Sequence, residues 1–215
     1  MRAIYVSRYV LTITFMLLTK FSFAAPILNI SQDGQLLGAR NLPVLGFIYN
    51  VEFVDGTCAD NFIGCDELSD LPITDIDLAR AAGEALFDFV FIDSPLGNFN
   101  TDPSLTFGCN SPISCGLNIP YNIVFTAGGF PVYQAIQAAN HGPDSTFNDI
   151  VGGPVSQGAG TDFAPRNDST GFDSLAFASF TRVPEPPTYL MFLLGSLLIF
   201  IFQSSRTEVC RIYKF

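Results

Sequence analysis

Residues 44–54 read VLGFIYNVEFV, and this stretch indicates the fold class of the central part of the chain. From position 47 onward, large apolar side chains alternate with Ile48 and two polar residues. The apolar series is Phe47, Tyr49, Val51 and Phe53. A period of two, with aromatic and β-branched residues, predicts a β-strand that buries one face. Asp55-Gly56 follows as a turn signal and ends the predicted strand.

A β-hairpin is predicted on the N-terminal side of this strand. Residues 27–30 and 35–39 are two short, mainly apolar runs that flank Asp33-Gly34. An Asp-Gly pair readily adopts the left-handed conformations of a tight hairpin turn. We therefore expect a hairpin to open the domain.

On the C-terminal side, residues 57–72 are predicted to form an acidic surface loop. The loop contains Cys58 and Cys65. Its carboxylates are those of Asp60, Asp66, Glu67 and Asp70. Their spacing does not match the calcium loop of an EF-hand, so a solvated loop is favoured over a calcium site.

One amphipathic helix is predicted from Thr74 or Asp75, either of which can cap it, to about Phe91. Apolar or small residues recur at spacings of three and four, and acidic residues mark the opposite side. The predicted buried positions are Ile76, Ala79, Gly83, Leu86, Phe87 and Val90. Residues 87–92 are rich in Phe, Val and Ile, so a strand is the alternative for this part.

Strands joined by loops are predicted for the rest of the domain. Residues 93–120 are dense in Pro, Gly, Asn and Ser, and we expect a long surface loop there. Predicted strands cover residues 121–126, 132–139, 147–151 and 172–181. Residues 132–140 also suit a two-turn helix. Residues 152–170 are polar and Gly-rich, which indicates a connection.

Charge excludes some partners for residues 25–182, which form one predicted domain. This domain contains 18 of the 20 acidic residues but only four of the ten basic residues, so its net charge is −14. A charge of this sign repels nucleic acid and anionic lipid surfaces, and it leaves cation binding open. We therefore expect no nucleic-acid partner. The absence of Trp counts against a carbohydrate-binding module, because such modules often stack sugars on Trp.

Four of the five cysteines lie in this domain: Cys58, Cys65, Cys109 and Cys115. An even number in an oxidising compartment predicts two disulfides. Among the three connectivities, the close spacing favours Cys58 with Cys65 and Cys109 with Cys115. A zinc site is the alternative, but zinc-binding cysteine pairs are usually separated by about two to four residues.

The sequence offers few groups for catalysis, and we predict no catalytic residue, cofactor or metal site. His141 is the only histidine, and its Asn-His-Gly-Pro context predicts an exposed turn. Nucleophile-elbow, Walker-type and dinucleotide-binding motifs do not occur in the sequence. The pairs Asp75 with Asp77 and Asp66 with Glu67 are the candidates for a glycosidase acid and base.

The first 24 residues are predicted to be a secretory signal peptide. Arg2 and Arg8 form a positively charged region before an apolar run at residues 9–18, and Ser22-Phe23-Ala24 is a small-x-small cleavage site. Cleavage is expected between Ala24 and Ala25. An uncleaved first membrane helix is the alternative.

The last 33 residues, 183–215, are predicted to hold the protein in a membrane. Pro184, Glu185 and Pro186 precede an apolar run at residues 188–203, and a basic tail follows. The tail cations are Arg206, Arg211 and Lys214. With its flanking residues, the run is long enough to cross a hydrocarbon core about 30 Å thick, and the cations predict a cytoplasmic C-terminus. A buried helix of a soluble protein is the alternative.

This order of tripeptide, apolar helix and basic tail resembles the PEP-CTERM sorting domain of exported bacterial proteins. The resemblance covers residues 183–215 and does not extend to the fold of the rest. It implies recognition by an exosortase and passage through the secretion machinery. It also implies association with the cell envelope, extracellular polysaccharide and biofilms of Gram-negative bacteria.

Together these features predict an α+β protein with a mainly antiparallel β ectodomain, one clear amphipathic helix and a single C-terminal transmembrane helix. The expected role is structural or interactive, at the cell envelope or in the extracellular matrix. The helix either anchors the protein in the inner membrane or is removed on release to the cell surface. The alternatives are a secreted glycan hydrolase that uses paired carboxylates and a calcium- or ligand-binding adhesin.

Overall fold

The computed structural model describes residues 25–158 and 174–184. The predicted signal peptide up to Ala24 and the predicted membrane helix and basic tail lie outside the described residues. The strands are β1 (Ile27–Ile30), β2 (Leu36–Val44), β3 (Phe47–Val54), β4 (Asp93–Ser94), β5 (Gly97–Asn98), β6 (Ser114–Phe125), β7 (Pro131–His141), β8 (Ile150–Gly158) and β9 (Leu175–Arg182). The helices are α1 (Cys58–Asn61), a single turn, and α2 (Ile76–Phe89). No helix among these residues is long and apolar enough to span a bilayer.

Seven strands form one mixed sheet in the order β1-β2-β3-β9-β6-β7-β8. Two antiparallel three-stranded units, β1–β3 and β6–β8, lie on either side of β9. The last strand, β9, is antiparallel to β3 and parallel to β6. The sheet is therefore mainly antiparallel, as predicted, with one parallel pair at its centre.

The alternating stretch forms a strand, but its first residues form a turn. Leu45 and Gly46 have positive φ values of 47° and 82° and connect β2 to β3. From Tyr49 the predicted pattern holds, because Tyr49, Val51 and Phe53 are buried, whereas Phe47, also predicted on the buried face, is exposed. The hairpin predicted around Asp33-Gly34 is also present, since β1 pairs antiparallel with β2.

Helix α2 begins where the sequence predicts, and it packs on one face of the sheet. The carboxylate of Asp75 accepts a hydrogen bond of 2.8 Å from the backbone N–H of Leu78, which caps the helix. The helix continues through Phe89, so the alternative of a strand at residues 87–92 is wrong. The buried face consists of Ala79, Ala82, Gly83, Ala85 and Leu86. These residues are mostly small, which lets the helix approach β2, β6, β7 and β8 closely.

Each face of the sheet has its own hydrophobic core. In β9, Ala176, Ala178 and Phe180 belong to the core under α2, whereas Phe177 points to the other face. The second core lies between the sheet and the loop that contains Cys58 and Cys65. The loop therefore covers a sheet face that would otherwise expose aromatic side chains.

The prediction of a surface loop at residues 93–120 is wrong in two respects. Phe99 is fully buried, and its carbonyl accepts a hydrogen bond of 2.7 Å from the buried side-chain amide of Asn140. In addition, β6 begins at Ser114 and includes Pro120. The pairing of β6 with β7 shifts register directly after Pro120, and proline is tolerated at such irregularities.

Two further segments are strands where the sequence left a choice or predicted a loop. Residues 132–140 belong to β7, which pairs with β6 on one side and β8 on the other. Hydrogen bonds on both edges therefore override the helical propensity of this segment. Strand β8 occupies residues 150–158, so the predicted Gly-rich connection is a strand up to Gly158.

Candidate functional site

The acidic loop between β3 and α2 is closed by a buried disulfide between Cys58 and Cys65. Both cysteines have no exposed surface and belong to the core on the loop side of the sheet. Phe62 lies inside the closed loop and packs edge-on against Phe177, with ring centroids 5.7 Å apart. The disulfide thus fixes an aromatic contact between loop and sheet, besides closing the loop itself.

The carboxylates of this loop accept hydrogen bonds from the loop itself. The side chain of Asp60 accepts a hydrogen bond of 2.6 Å from the hydroxyl of Thr57. Asp70 accepts from the backbone N–H groups of Asp66 and Glu67, at 3.2 and 3.0 Å. Throughout residues 25–158 and 174–184, no three His, Cys, Asp or Glu side chains converge in a way that could hold a metal ion.

The second disulfide joins Cys109 to Cys115 at the start of β6. Cys109 is 1% exposed and Cys115 is fully buried, and both contribute to the core under α2. Both pairings are the ones that the close spacing favours. The alternative of a four-cysteine zinc site is therefore wrong.

An acidic cleft of about 490 Å³ lies between α2, the chain after β5 and the start of β8. Three carboxylates and one amide line it, together with three apolar side chains. The lining residues are Glu84, Phe87, Asp88, Asn100, Asp149, Ile150 and Val151. Because Glu84 and Asp88 are four residues apart on a helix, they lie on the same face, one turn from each other. The cleft can attract a cationic group by charge and contact an apolar one through Phe87.

Sequence reasoning did not identify this cleft. The helical period does place Glu84 and Asp88 on the side of α2 opposite its buried face, and this was the only available signal. Asp149 is more than 60 positions later in the sequence, and only the fold brings it to the same cleft. The approach of α2 to β8 depends on Gly83, where an added Cβ would lie 3.0 Å from Val151 Cγ1.

His141 is not the exposed turn residue that the sequence predicts. It is the last residue of β7, it is partly buried, and its backbone N–H donates a hydrogen bond of 2.6 Å to the carboxylate of Asp149. Its ring lies 6.0 Å from that of Phe147, between centroids. The ring Nδ1 atom is buried and has no hydrogen-bond partner among the residues that the structure describes. His141 does not line the acidic cleft.

The carboxylate pairs considered for acid–base catalysis lie on exposed surface. Asp75 caps α2, and Asp77 is exposed in the first turn of the same helix. Asp66 and Glu67 are exposed directly after Cys65. None of the four lines the acidic cleft.

Asp93 anchors the chain between α2 and β6. Its side chain accepts hydrogen bonds of 2.9 and 3.1 Å from the backbone N–H groups of Asn100 and Thr101. Partial desolvation acts to raise the pKa of Asp93, but the hydrogen bonds from Thr101 and Asn100 outweigh it and hold the pKa below its usual value. This fixed turn positions Asn100 at the acidic cleft.

The residues of the predicted sorting and cleavage sites lie at the borders of the described region. Ala25 is exposed and comes two residues before β1. Pro184 is exposed and comes two residues after the end of β9. Ala24, Glu185 and Pro186 lie outside the described residues, as do the tail cations Arg206, Arg211 and Lys214.

Comparison of the chain with models of known protein families, with curated protein sequences and with solved structures gives no match in any of the three.

Proposed function

We propose that this chain is an exported protein of the bacterial cell envelope or extracellular matrix, sorted by its C-terminal residues 183–215. One observation carries the proposal. The tripeptide Pro184-Glu185-Pro186 stands directly before an apolar run, and that run stands directly before a basic tail. In this proposal the run crosses the inner membrane with the C-terminus in the cytoplasm, and an exosortase acts near the tripeptide.

The two disulfides support export. Both are buried in the cores of the domain, so the fold is built around oxidised cysteines. Structural disulfides form and persist in oxidising compartments such as the periplasm and the cell surface. The structure therefore indicates an oxidising, exported environment.

The position of the motif relative to the fold also supports sorting by an enzyme. Strand β9 ends at Arg182, and the backbone N–H of Val183 makes the last described hydrogen bond of this strand region, to the carbonyl of Ile48 at 2.8 Å. Pro184 is exposed. A processing enzyme must bind its target in an accessible part of the chain, and Pro184, the first residue of the tripeptide, is accessible directly after the sheet.

Substitution of the tripeptide tests the proposal. The full chain is expressed in a Gram-negative host that contains an exosortase, beside the variant Pro184→Ala/Glu185→Ala/Pro186→Ala and the control Pro143→Ala, an exposed proline far from the motif. We expect mass spectrometry to find the wild type and the control cut near the tripeptide, and the triple variant intact in the inner membrane. Equal processing of all three chains would contradict the proposal.

The acidic cleft favours a second candidate, a ligand-binding adhesin. Three carboxylates and Phe87 line this cleft, and their combination of negative charge and apolar surface suits a small ligand that carries a cationic and an apolar group. A ligand at 100 times its dissociation constant would stabilise the folded chain by about 2.7 kcal/mol. Thermal melting with amino sugars, basic peptides and calcium, on the wild type and on Glu84→Gln/Asp88→Asn, would detect such binding. A stabilisation that persists in the variant would place the ligand elsewhere.

A further inference from the structure

Strand directions place two hairpin turns at the end of the sheet from which the chain leaves the domain. Strand β9 runs toward Arg182 and Pro184, and we call this end of the sheet the exit end. Strand β3 is antiparallel to β9, with Tyr49 opposite Arg182, so the β2–β3 turn at residues 45–46 lies at the exit end. Strand β6 is parallel to β9, so the β6–β7 turn at residues 126–130 lies there too. Because β3 and β6 are the two neighbours of β9, the two turns flank the exit of the chain.

Both turns expose large apolar side chains. At the β2–β3 turn, Leu45 is 63% exposed and Phe47 is 37% exposed. At the β6–β7 turn, Phe125 is 62% exposed and Phe130 is 53% exposed. Neither residues 45–47 nor residues 125–130 include a charged side chain. Exposed apolar side chains that gather at one place can mark a contact site, and these four lie on the two turns that flank the chain exit.

The opposite end of the sheet carries acidic residues in its strand connections. Asp33 lies in the β1–β2 turn, and Asp55 follows the end of β3. Asp144 and Asp149 lie in the β7–β8 connection. These four described acids therefore lie at the end of the strands opposite Leu45, Phe47, Phe125 and Phe130, an end that also exposes Phe147 and Ile150.

The last described residues before the chain leaves the sheet contact the β2–β3 hairpin. The guanidinium carbon of Arg182 lies 3.8 Å from the ring centroid of Phe47. The hydrogen bond from Val183 to Ile48 adds a second contact on the same hairpin. The direction in which the chain leaves the sheet is thus coupled to the direction in which the hairpin points.

We propose that Leu45, Phe47, Phe125 and Phe130 form an apolar foot that rests in the interface of the lipid bilayer. The inference rests on the proposed function, in which residues 188–203 cross the membrane. Only three residues separate Pro184 from Thr188, and four Cα–Cα steps reach at most about 14 Å. Phe47 lies two residues beyond the level of Arg182, about 7 Å along the strand, so it projects past β9 by about half the reach of this connection.

The chemistry of the foot suits a lipid interface. Phe and Leu side chains bury favourably at the boundary between headgroups and acyl chains. A domain with a net charge of −14 is repelled by anionic headgroups, and this orientation keeps the acidic connections away from them. Asp149 and the acidic cleft then face away from the membrane, where a ligand in the surrounding medium can reach them.

Tryptophan fluorescence tests the foot, because the chain contains no Trp and any introduced Trp is the only one. The full chain is reconstituted in phosphatidylcholine vesicles with or without bromine on the acyl chains, as the variants Phe47→Trp and Phe125→Trp. The matched control is Phe147→Trp, since Phe147 is 73% exposed in the β7–β8 connection at the opposite end. We expect a blue-shifted emission that brominated lipid quenches for Phe47→Trp and Phe125→Trp, and neither effect for Phe147→Trp.

Flotation of the vesicles separates failure of the foot from failure of the proposed function. If no variant floats with the vesicles, the proposal that residues 188–203 anchor the chain is wrong, and the proposal of the foot is then wrong as well. If all variants float but Phe47→Trp and Phe125→Trp behave like the control, the anchor stands and the foot is wrong. A blue shift that brominated lipid does not quench would also overturn the foot, because it would show that protein and not lipid covers these residues.

Discussion

Gly38 in β2 lies where two strands approach too closely for a side chain. Its φ is +140°, and a Cβ at this position would clash with the carbonyl oxygen of Val51 on β3. Asn41, three residues later, has a positive φ of 59°, and its N–H donates to the side-chain oxygen of Asn50 at 3.2 Å. The register between β2 and β3 shifts in this region, so Gly38 permits an irregularity that the pairing requires.

Substitution of Gly38 should therefore cost more than substitution of a glycine that only has a positive φ. Gly34 in the β1–β2 turn provides the comparison, because its φ is +86° and no atom of the described part of the chain lies within 4 Å of an added Cβ. We expect Gly34→Ala to lower the free energy of unfolding by about 1–2 kcal/mol, and Gly38→Ala to lower it by about 3 kcal/mol or more. Urea denaturation measures both, and equal losses would show that the clash with Val51 relaxes freely.

The hydrogen bonds to Asp93 predict a dependence of stability on pH. The folded state holds the pKa of Asp93 below its unfolded value, so the carboxylate contributes stability above the unfolded pKa. That contribution is lost as the pH falls through the lowered folded pKa. We expect Asp93→Asn to be less stable than wild type at neutral pH, with a difference that shrinks below about pH 4. Unfolding curves at a series of pH values measure it, and a constant difference would refute the prediction.

The periodicity of the sequence predicted the helix and the strand that bury only one face. Asp75 and the spacing of Ala79, Gly83 and Leu86 were sufficient to define α2, and the alternating residues of β3 predicted a strand. The start of β6 was missed because Gly116 and Pro120 are turn residues in most local contexts, and tertiary pairing determines their conformation here. The predicted strand at residues 147–151 covers only the start of β8, and the rest was missed for the same reason, since Gly152, Gly153 and Pro154 have little strand propensity.

The loop closed by Cys58 and Cys65 should behave as part of the core. Removal of a native disulfide usually costs about 2–5 kcal/mol. Here the cost also includes a loosened contact between Phe62 and Phe177. We expect Cys58→Ala/Cys65→Ala to lower the melting temperature substantially and to increase cleavage of the loop by protease. The control is Cys210→Ser, a cysteine of the C-terminal tail. A double variant as stable as this control would show that the loop is not needed to cover the sheet.

For the whole molecule, the position of β9 could not be predicted from the sequence. Residues 172–181 were recognised as a strand, but nothing in them indicates that β9 enters between β3 and β6. That insertion joins two units that are far apart in the sequence, and it sets the direction in which the chain leaves the domain. The acidic cleft shares this dependence, because Asp149 meets α2 only after the second unit has packed. The cysteine pairs were predictable, since short spacing limits the alternatives.

The proposed function and the two closed disulfides both require delivery of the domain to an oxidising compartment. The charge of −14, the two buried disulfides and the order of segments at residues 183–215 all fit this location, each by a different physical argument. The most direct measurement is the intact mass of the chain, with its thiol content, after cell fractionation of a Gram-negative host. The account predicts an envelope or extracellular protein that begins at Ala25 and has both disulfides closed. A full-length chain in the cytosol that begins at Met1 and has free thiols at Cys58 and Cys109 would contradict it.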